Sequence, residues 1–379
     1  MSNTGPESSV PPEDGGEGDA GLPRAGAAAG QGCGERLLIV AEGFSGDPHY
    51  GKTARGVLAY GQRTVVAIVD STRTGKTQDG VPIVGTIGDA LAYEPETALV
   101  GVATQGGRFP PEWRELLSTA VASGLNVENG LHQFLADDEE LSGLAAQHGV
   151  ELRDLRRPPD DLNVPTGANL EQRTRNVLTV GSDCAIGKMT VSLELDRAAA
   201  ARGIASRFVP TGQTGIAIAG WGIAVDAVVS DFIAGAAERL VVEGHERGGE
   251  LLFVEGQGAV THPAYSGVTL GLIHGSAPHA LVLCHHAGAT EVEGYPGHPL
   301  LPLPELVELH EWISLPARKA RVAAIALITR ELSDDAARAT IARAEAETGL
   351  IADDPVRFGV DRILDAVLAA VDWGVARMP

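Results

Sequence analysis

Gly181-Ser182-Asp183-Cys184-Ala185-Ile186-Gly187-Lys188-Met189-Thr190 follows directly on the apolar run Asn176-Val-Leu-Thr-Val180. A short strand thus runs straight into glycine, and a Gly-Lys pair opens an amphipathic helix over 189–200. At such a helix start, consecutive backbone N–H groups curl inward around a phosphate, and the lysine adds a point charge. The stretch reads as a phosphate-binding P-loop, with all ten residues as candidate contacts to a phosphate-bearing ligand. Met189 stands where a Mg²⁺-binding hydroxyl is usual, and Thr190 follows one place later.

A second stretch, Gly46-Asp-Pro-His-Tyr-Gly51-Lys52-Thr53, matches the G-x-x-x-x-G-K-[ST] pattern letter for letter. Physics ranks it lower. Pro48 has no N–H and restricts the residue before it, and the preceding strand ends near Ala41, leaving spare residues before the loop. It reads as an ordinary helix start.

Outward from the loop, short apolar strands are expected at 176–180, 205–209, 226–230, 251–254, 280–284 and 322–328. Helices fit at 187–202, 232–243, 303–312, 334–347 and 359–371. This alternation predicts a doubly wound α/β domain whose ligands gather at the carboxyl ends of the strands. Leu251-Leu-Phe-Val-Glu255 ends in an acid, as a Walker-B-type element does, and Gly256-Gln257-Gly258 allows close ligand approach. Glu255 is therefore a candidate catalytic residue. It is also, with Thr190, a candidate Mg²⁺ ligand if the nucleotide is Mg-ATP. His262 is a candidate general base and Lys188 the phosphate-neutralising cation. Thr211, Gln213, Thr214, Asp231, Gln257, Tyr265 and His285 lie just beyond strand ends and are candidate substrate contacts. Asp226 is as well explained by a strand cap. No Cys/His spacing argues for zinc.

Before residue 156 a smaller strand–helix series begins at Arg36-Leu-Leu-Ile-Val-Ala41. It has strands at 64–70, 98–103 and 126–129 and helices near 52–60 and 113–123, a small Rossmann-like parallel sheet. Asp70 ends the second strand, but no GxGxxG follows the first, so a dinucleotide dehydrogenase is a poor fit. The organisation expected is a disordered tail over 1–34, a Rossmann-like domain over 35–155, a linker over 156–166 with three prolines, and a P-loop domain over 167–379.

The 379 residues carry 50 acidic against 29 basic side chains, a formal charge of −21. Such a surface repels nucleic acid and anionic membrane, so neither is expected as a partner, and an anionic ligand needs a local device to hold it. Cys33, Cys184 and Cys284 form no disulfide framework, and no basic-then-apolar leader or long apolar span appears. A cytoplasmic protein is expected, as a homo-oligomer.

Four segments carry a resemblance: Val180 to Thr190, Pro210-Thr-Gly-Gln-Thr-Gly215, Val228-Val-Ser-Asp-Phe-Ile-Ala-Gly-Ala-Ala-Glu238, and Val254-Glu-Gly-Gln-Gly258 through His262-Pro-Ala-Tyr-Ser266. They resemble the D-glutamate N-acetyltransferase-like P-loop family of bacteria and archaea, over roughly residues 36–379. The first half shows it more thinly, in Lys52-Thr-Ala-Arg-Gly-Val-Leu-Ala-Tyr60. The resemblance implies a Rossmann-like domain joined to a P-loop domain, and acetyl transfer from acetyl-CoA to a D-amino acid. The P-loop half is also similar to dethiobiotin synthetase, which implies ATP and Mg²⁺ activating a carboxylate. The function expected first is an N-acyltransferase acting on a small amino acid, with the loop cradling the CoA phosphates and Glu255 or His262 taking the amine proton. An ATP-dependent ligase or kinase stands second, and a nucleotide sensor without turnover third.

Overall fold

The computed structural model describes residues 34–47, 50–104 and 107–374; the expected tail over 1–34 lies almost wholly outside them. The first half builds β1 (Arg36–Val40), α1 (Lys52–Tyr60), β2 (Thr64–Val69), β3 (Thr77–Gln78), β4 (Val81–Val84), α2 (Ile87–Ala90), β5 (Thr97–Val100), α3 (Trp113–Ala122), β6 (Asn126–Asn129), α4 (Glu139–His148) and β7 (Leu152–Asp154). They form one sheet in the order β3-β4-β2-β1-β5-β6-β7, parallel except where β3 meets β4. Leu37 to Val40 of β1 are wholly buried, as a central strand covered on both faces requires.

The second half builds β8 (Arg175–Gly181), α5 (Lys188–Ala201), β9 (Ser206–Val209), α6 (Gln213–Ala219), α7 (Ile233–Glu246), β10 (Leu251–Val254), α8 (Ser266–Ser276), β11 (Ala280–His286), α9 (Leu303–Trp312), β12 (Arg321–Ile328), α10 (Asp334–Thr348), β13 (Ile351–Asp353) and α11 (Asp361–Ala370). The sheet order is β13-β12-β11-β8-β10-β9, parallel throughout. The loop after β8 is thus flanked by the carboxyl ends of β10 and β11, at the point where the strand order reverses. The chain is an α/β protein with a Rossmann-like half and a P-loop half.

The expected strand over 226–230 is not formed. Val225–Ala227 is a turn of 3-10 helix, followed by another at Ser230–Phe232. Val225 and Val228 are buried while Val229 is exposed, a spacing of three that suits 3-10 geometry and not a period of two. The sixth strand is β13 instead, which sequence reading passed over. Helices α6 and α8 are not among the expected helices. In α8, Gly271 and Gly275 face α7 so closely that a β-carbon would stand 2.4 Å from Ile233 Cγ2 and 2.0 Å from the Ala234 carbonyl oxygen. These glycines permit helix–helix contact rather than breaking the helix.

The two halves share apolar packing. Leu193 of α5, Phe208 of β9, and Ala217 and Ile218 of α6 belong to the same buried cluster as Leu38, Val57 and Leu99. Around that patch, Thr53 Oγ1 lies 2.9 Å from Thr214 Oγ1, Tyr60 donates to Glu194 at 2.7 Å, and Arg197 donates to the Ala59 carbonyl at 2.7 Å. Arg156, expected to begin a linker, is buried. Its guanidinium donates to the Gly130 carbonyl, to Gln213 Oε1 at 2.7 Å and to Asp226. Among the described residues no helix is long and apolar enough to cross a membrane.

Candidate active site

β8 delivers Gly181 into the loop, and α5 begins at Lys188. Ala185 and Gly187 take positive φ, 52° and 82°, which turns the intervening amides toward the loop's interior. Among the described residues, the N–H groups of Ala185 to Thr190 donate to no protein acceptor. Lys188 is buried, and its Nζ donates to the Asp183 carbonyl at 2.7 Å, across the space that the amides face. Burial holds the ammonium below the usual lysine range, partly offset by Asp183 and Glu255. A ring of free amides and a buried cation is an anion cradle.

The rest of the loop is pinned from outside. Ser182 N–H donates to the Cys284 carbonyl at 3.0 Å, and Asp183 accepts from Cys184 N–H at 2.6 Å and Glu293 N–H at 2.8 Å. Met189 turns toward the first half, its Cε 3.5 Å from where a β-carbon on Gly56 would stand. The side chain at the usual Mg²⁺-hydroxyl position is therefore part of the packing between the halves.

Glu255 follows β10 and is 4% exposed. Its Oε2 accepts from Thr211 N–H at 2.9 Å and Gly212 N–H at 3.2 Å. Burial drives its pKa up to about 7 against an ordinary 4.5; the two amides pull it down, and Asp226 pushes it up again. The neighbouring glycines are sterically required. A β-carbon at Gly256 would stand 1.8 Å from the Thr179 carbonyl oxygen, and one at Gly215 would stand 2.5 Å from Glu255 Oε2. A buried carboxyl poised near neutrality beside a lysine is what a general base requires.

His262 is buried on the other side of the loop, its Nε2 4.0 Å from Asp183 Oδ1. Its ring stacks on Tyr265 with centroids 4.7 Å apart and meets Tyr295 edge-on at 5.0 Å. Asp183, Cys184 and His262 bring three potential metal-ligand atoms within 4.8 Å of one another. However, His262 Nδ1 accepts from Ala264 N–H at 3.1 Å, which places the ring proton on Nε2, the nitrogen facing that cluster. A protonated Nε2 neither ligates a metal nor takes a proton; it donates. Burial pushes the Cys184 thiol up to about 11, so it is not a thiolate.

The residues expected to touch substrate divide. Thr211 is fully buried and spent on Glu255, since its hydroxyl donates to the Glu255 carbonyl at 2.7 Å. Gln213 and Thr214 hold the first half, through Arg156 and Thr53. Gln257 Nε2 donates to Thr211 Oγ1 at 3.2 Å, and Tyr265 is half exposed over His262. Asp231 stands exposed on its 3-10 turn, with no polar contact to the loop or to Glu255 among the described residues. His285 lies at the opposite edge, its Nδ1 2.9 Å from Ser182 Oγ. Burial and the neighbouring His286 lower its pKa to about 4, so it stays neutral. Beside it opens a cavity of about 280 Å³, lined by Ala287, Leu300, Leu327 and Ala344, with Arg343 at its edge.

The letter-perfect motif at Gly46–Thr53 does not make a cradle. Asp47 N–H and Gly51 N–H are consumed by turn carbonyls at 3.0 Å each, and the Asp70 carboxylate ties down Gly43 and Ser45 N–H groups at 3.1 Å. Pro48 and His49 lie outside the described residues. Sequence reading passed over Arg156, which braces Gln213 and Asp226, because its proline-rich surroundings read as linker.

Residues 163–364 match a domain of unknown function described as a P-loop domain, DUF1611_C, and residues 70–158 match its Rossmann-like companion, DUF1611_N. A D-glutamate N-acetyltransferase of Tritonibacter scottomollicae is 38% identical over 285 residues, 75% of this chain and 84% of that protein. One from a Pseudoalteromonas species is 36% identical over 280 residues, 74% of this chain and 83% of that protein. The crystal structure of a DUF1611 family protein from Anabaena variabilis superposes with a TM-score of 0.82 at 42% identity, covering 88% of this chain and 99% of that one. With both of its halves matched and the same fold found in that crystal structure, this chain belongs to the DUF1611 family.

Proposed function

We propose that this chain is an N-acetyltransferase that moves an acetyl group from acetyl-CoA to the amine of a small amino acid, D-glutamate being the first candidate by analogy with the named relatives. The observation that carries the reading is a buried carboxyl with a pKa of about 7, next to a loop of free amides and a buried lysine. The loop and Lys188 hold CoA phosphate, and the cavity beside His285, with both apolar and polar walls, offers room for the adenine ring. Glu255 takes one proton from the substrate ammonium. The freed lone pair attacks the thioester carbonyl, the C–N bond forms, and the C–S bond breaks. One of the two remaining amine protons goes to the leaving sulfur, giving the free thiol of CoA, and the other stays on the amide. The proton on Glu255 returns to water, which balances the reaction. His262, as an Nε2–H donor, orients Asp183 or a ligand oxygen rather than acting as base.

The test follows free thiol and inorganic phosphate separately, with acetyl-CoA or ATP and a panel of D- and L-amino acids. Thiol release that requires both acetyl-CoA and an amino acid is expected. Phosphate release that requires ATP, Mg²⁺ and an amino acid, with no thiol, would overturn the reading in favour of a ligase.

A further inference from the structure

Lys52 is the lysine of the letter-perfect motif that makes no phosphate cradle, yet its position has a use. It opens α1, and the next residue, buried Thr53, is hydrogen-bonded to Thr214 at 2.9 Å. A β-carbon on Gly56, one turn along α1, would stand 3.0 Å from Thr214 Cγ2, so the starts of α1 and α6 touch. Just before Thr214, Gly212 N–H holds the Glu255 carboxylate and Gln213 Oε1 holds Arg156. Lys52 therefore stands where the first half meets the carboxylate of the second.

Arg156, the cation that acts on it, is spent on protein partners, donating to the Gly130 carbonyl, Gln213 and Asp226. Lys188 is committed to the phosphate loop. Lys52 has no side-chain hydrogen bond or ion pair among the described residues, and its side chain reaches solvent. The protein atoms crowded around its solvent-reaching tip, and then Arg156, lower its pKa, while Glu255 and Asp226 favour the ammonium. A cation at a helix N-terminus is also disfavoured by the helix dipole, and α1 has no acid in its first turn to offset it. An unpartnered cation held there against two unfavourable terms is set up to receive an anion, in a chain whose net charge of −21 repels anions elsewhere.

We propose that Lys52 binds a carboxylate of the amino-acid substrate, so that the acceptor bridges the two halves with its carboxylate on Lys52 and its amine at Glu255. This assignment rests on the acetyltransferase reading and adds to it the substrate's charge and orientation. Lys52 is then a substrate-binding residue, and the CoA site does not involve it.

The experiment is steady-state thiol release by the full chain, varying D-glutamate and acetyl-CoA in turn, for wild type, Lys52→Ala, Lys52→Met and Lys52→Arg. Losing one charged contact to substrate should raise the KM for D-glutamate about tenfold or more in the Ala and Met variants, with the KM for acetyl-CoA within about twofold of wild type and most of the loss restored by Arg. A structural role would instead move both KM values, or kcat, and would not distinguish the substrates. An unchanged D-glutamate KM in active Lys52→Ala, or equal rises in both KM values, overturns the assignment and leaves the acetyltransferase reading standing. A wild-type chain that releases no thiol with any amino acid overturns both.

Discussion

Glu255 and Thr211 are bonded to each other twice: the Thr211 N–H donates to the Glu255 carboxylate at 2.9 Å, and the Thr211 hydroxyl donates to the Glu255 carbonyl at 2.7 Å. The side chain and its own backbone are thereby locked to one residue of the neighbouring strand's loop. A base held this way has little freedom to escape the strain of its burial by swinging into solvent.

Its titration should be visible in two measurements of opposite slope. As a base, Glu255 must be ionised, so turnover should rise as pH increases through about 7. Stability should fall on the approach to that pH, between about 4.5 and 7. The folded protein keeps this proton between about pH 4.5 and 7, where the unfolded chain has released it, so folding binds protons there and weakens as they are removed. The full excursion amounts to about 3 kcal/mol. Urea titrations at pH 5 and pH 8 should show it in wild type and lose most of it in Glu255→Gln. A Gln variant with the wild-type pH dependence of stability would mean that another group titrates.

Lys188→Ala should weaken acetyl-CoA binding by about 2–3 kcal/mol, the scale for removing a charge-assisted contact to phosphate. Lys52→Ala should leave that affinity unchanged. Calorimetric titration with acetyl-CoA, without amino acid, checks both. Lost binding in Lys52→Ala with intact binding in Lys188→Ala would exchange the roles of the two loops.

Excess EDTA should not stop thiol release. Met189 occupies the usual hydroxyl position and faces Gly56, and a phosphate that is only held, not transferred, needs no metal to neutralise developing charge. Activity abolished by EDTA and restored by Mg²⁺ would contradict this.

Two glycines should respond to alanine in opposite directions. Gly256→Ala places a methyl 1.8 Å from the Thr179 carbonyl oxygen, in the backbone that joins the loop to Glu255, and should cost more than about 3 kcal/mol. Gly267→Ala, in the first turn of α8 with open space around it, should be neutral or stabilise by up to about 1 kcal/mol. Urea midpoints compare the two directly.

The parts of this molecule that sequence made legible are those whose cause is local. The P-loop is a strand, a run of amides and a helix start within about fifteen residues, and Glu255 ends an unbroken apolar strand; both lie where their spacing indicated. What could not be read were choices made by distant partners. Thr211, Gln213 and Thr214 look like free polar groups in a glycine-rich turn, but Glu255, Arg156 and Thr53 claim them across 44, 57 and 161 residues of chain. Helices α6 and α8 escaped for the same reason: Gly215 makes room for a carboxylate and Gly271 for a neighbouring helix, and neither breaks the helix it sits in. Val225-Asp-Ala-Val-Val carries the composition of a strand, and only the cover provided by α7 and the sheet edge decided that it coils.

The apolar patch through which α5, β9 and α6 complete the first half's core also bears on how the chain comes apart. Leu193, Phe208 and Ile218 cannot return to water singly, and neither half can open without exposing them. The molecule should therefore unfold in one cooperative step despite its two sheets, with a single transition in calorimetry. A ligand held in the loop of the second half would raise the melting point of the first half by the same amount, because mass action on a shared transition does not report where the ligand sits.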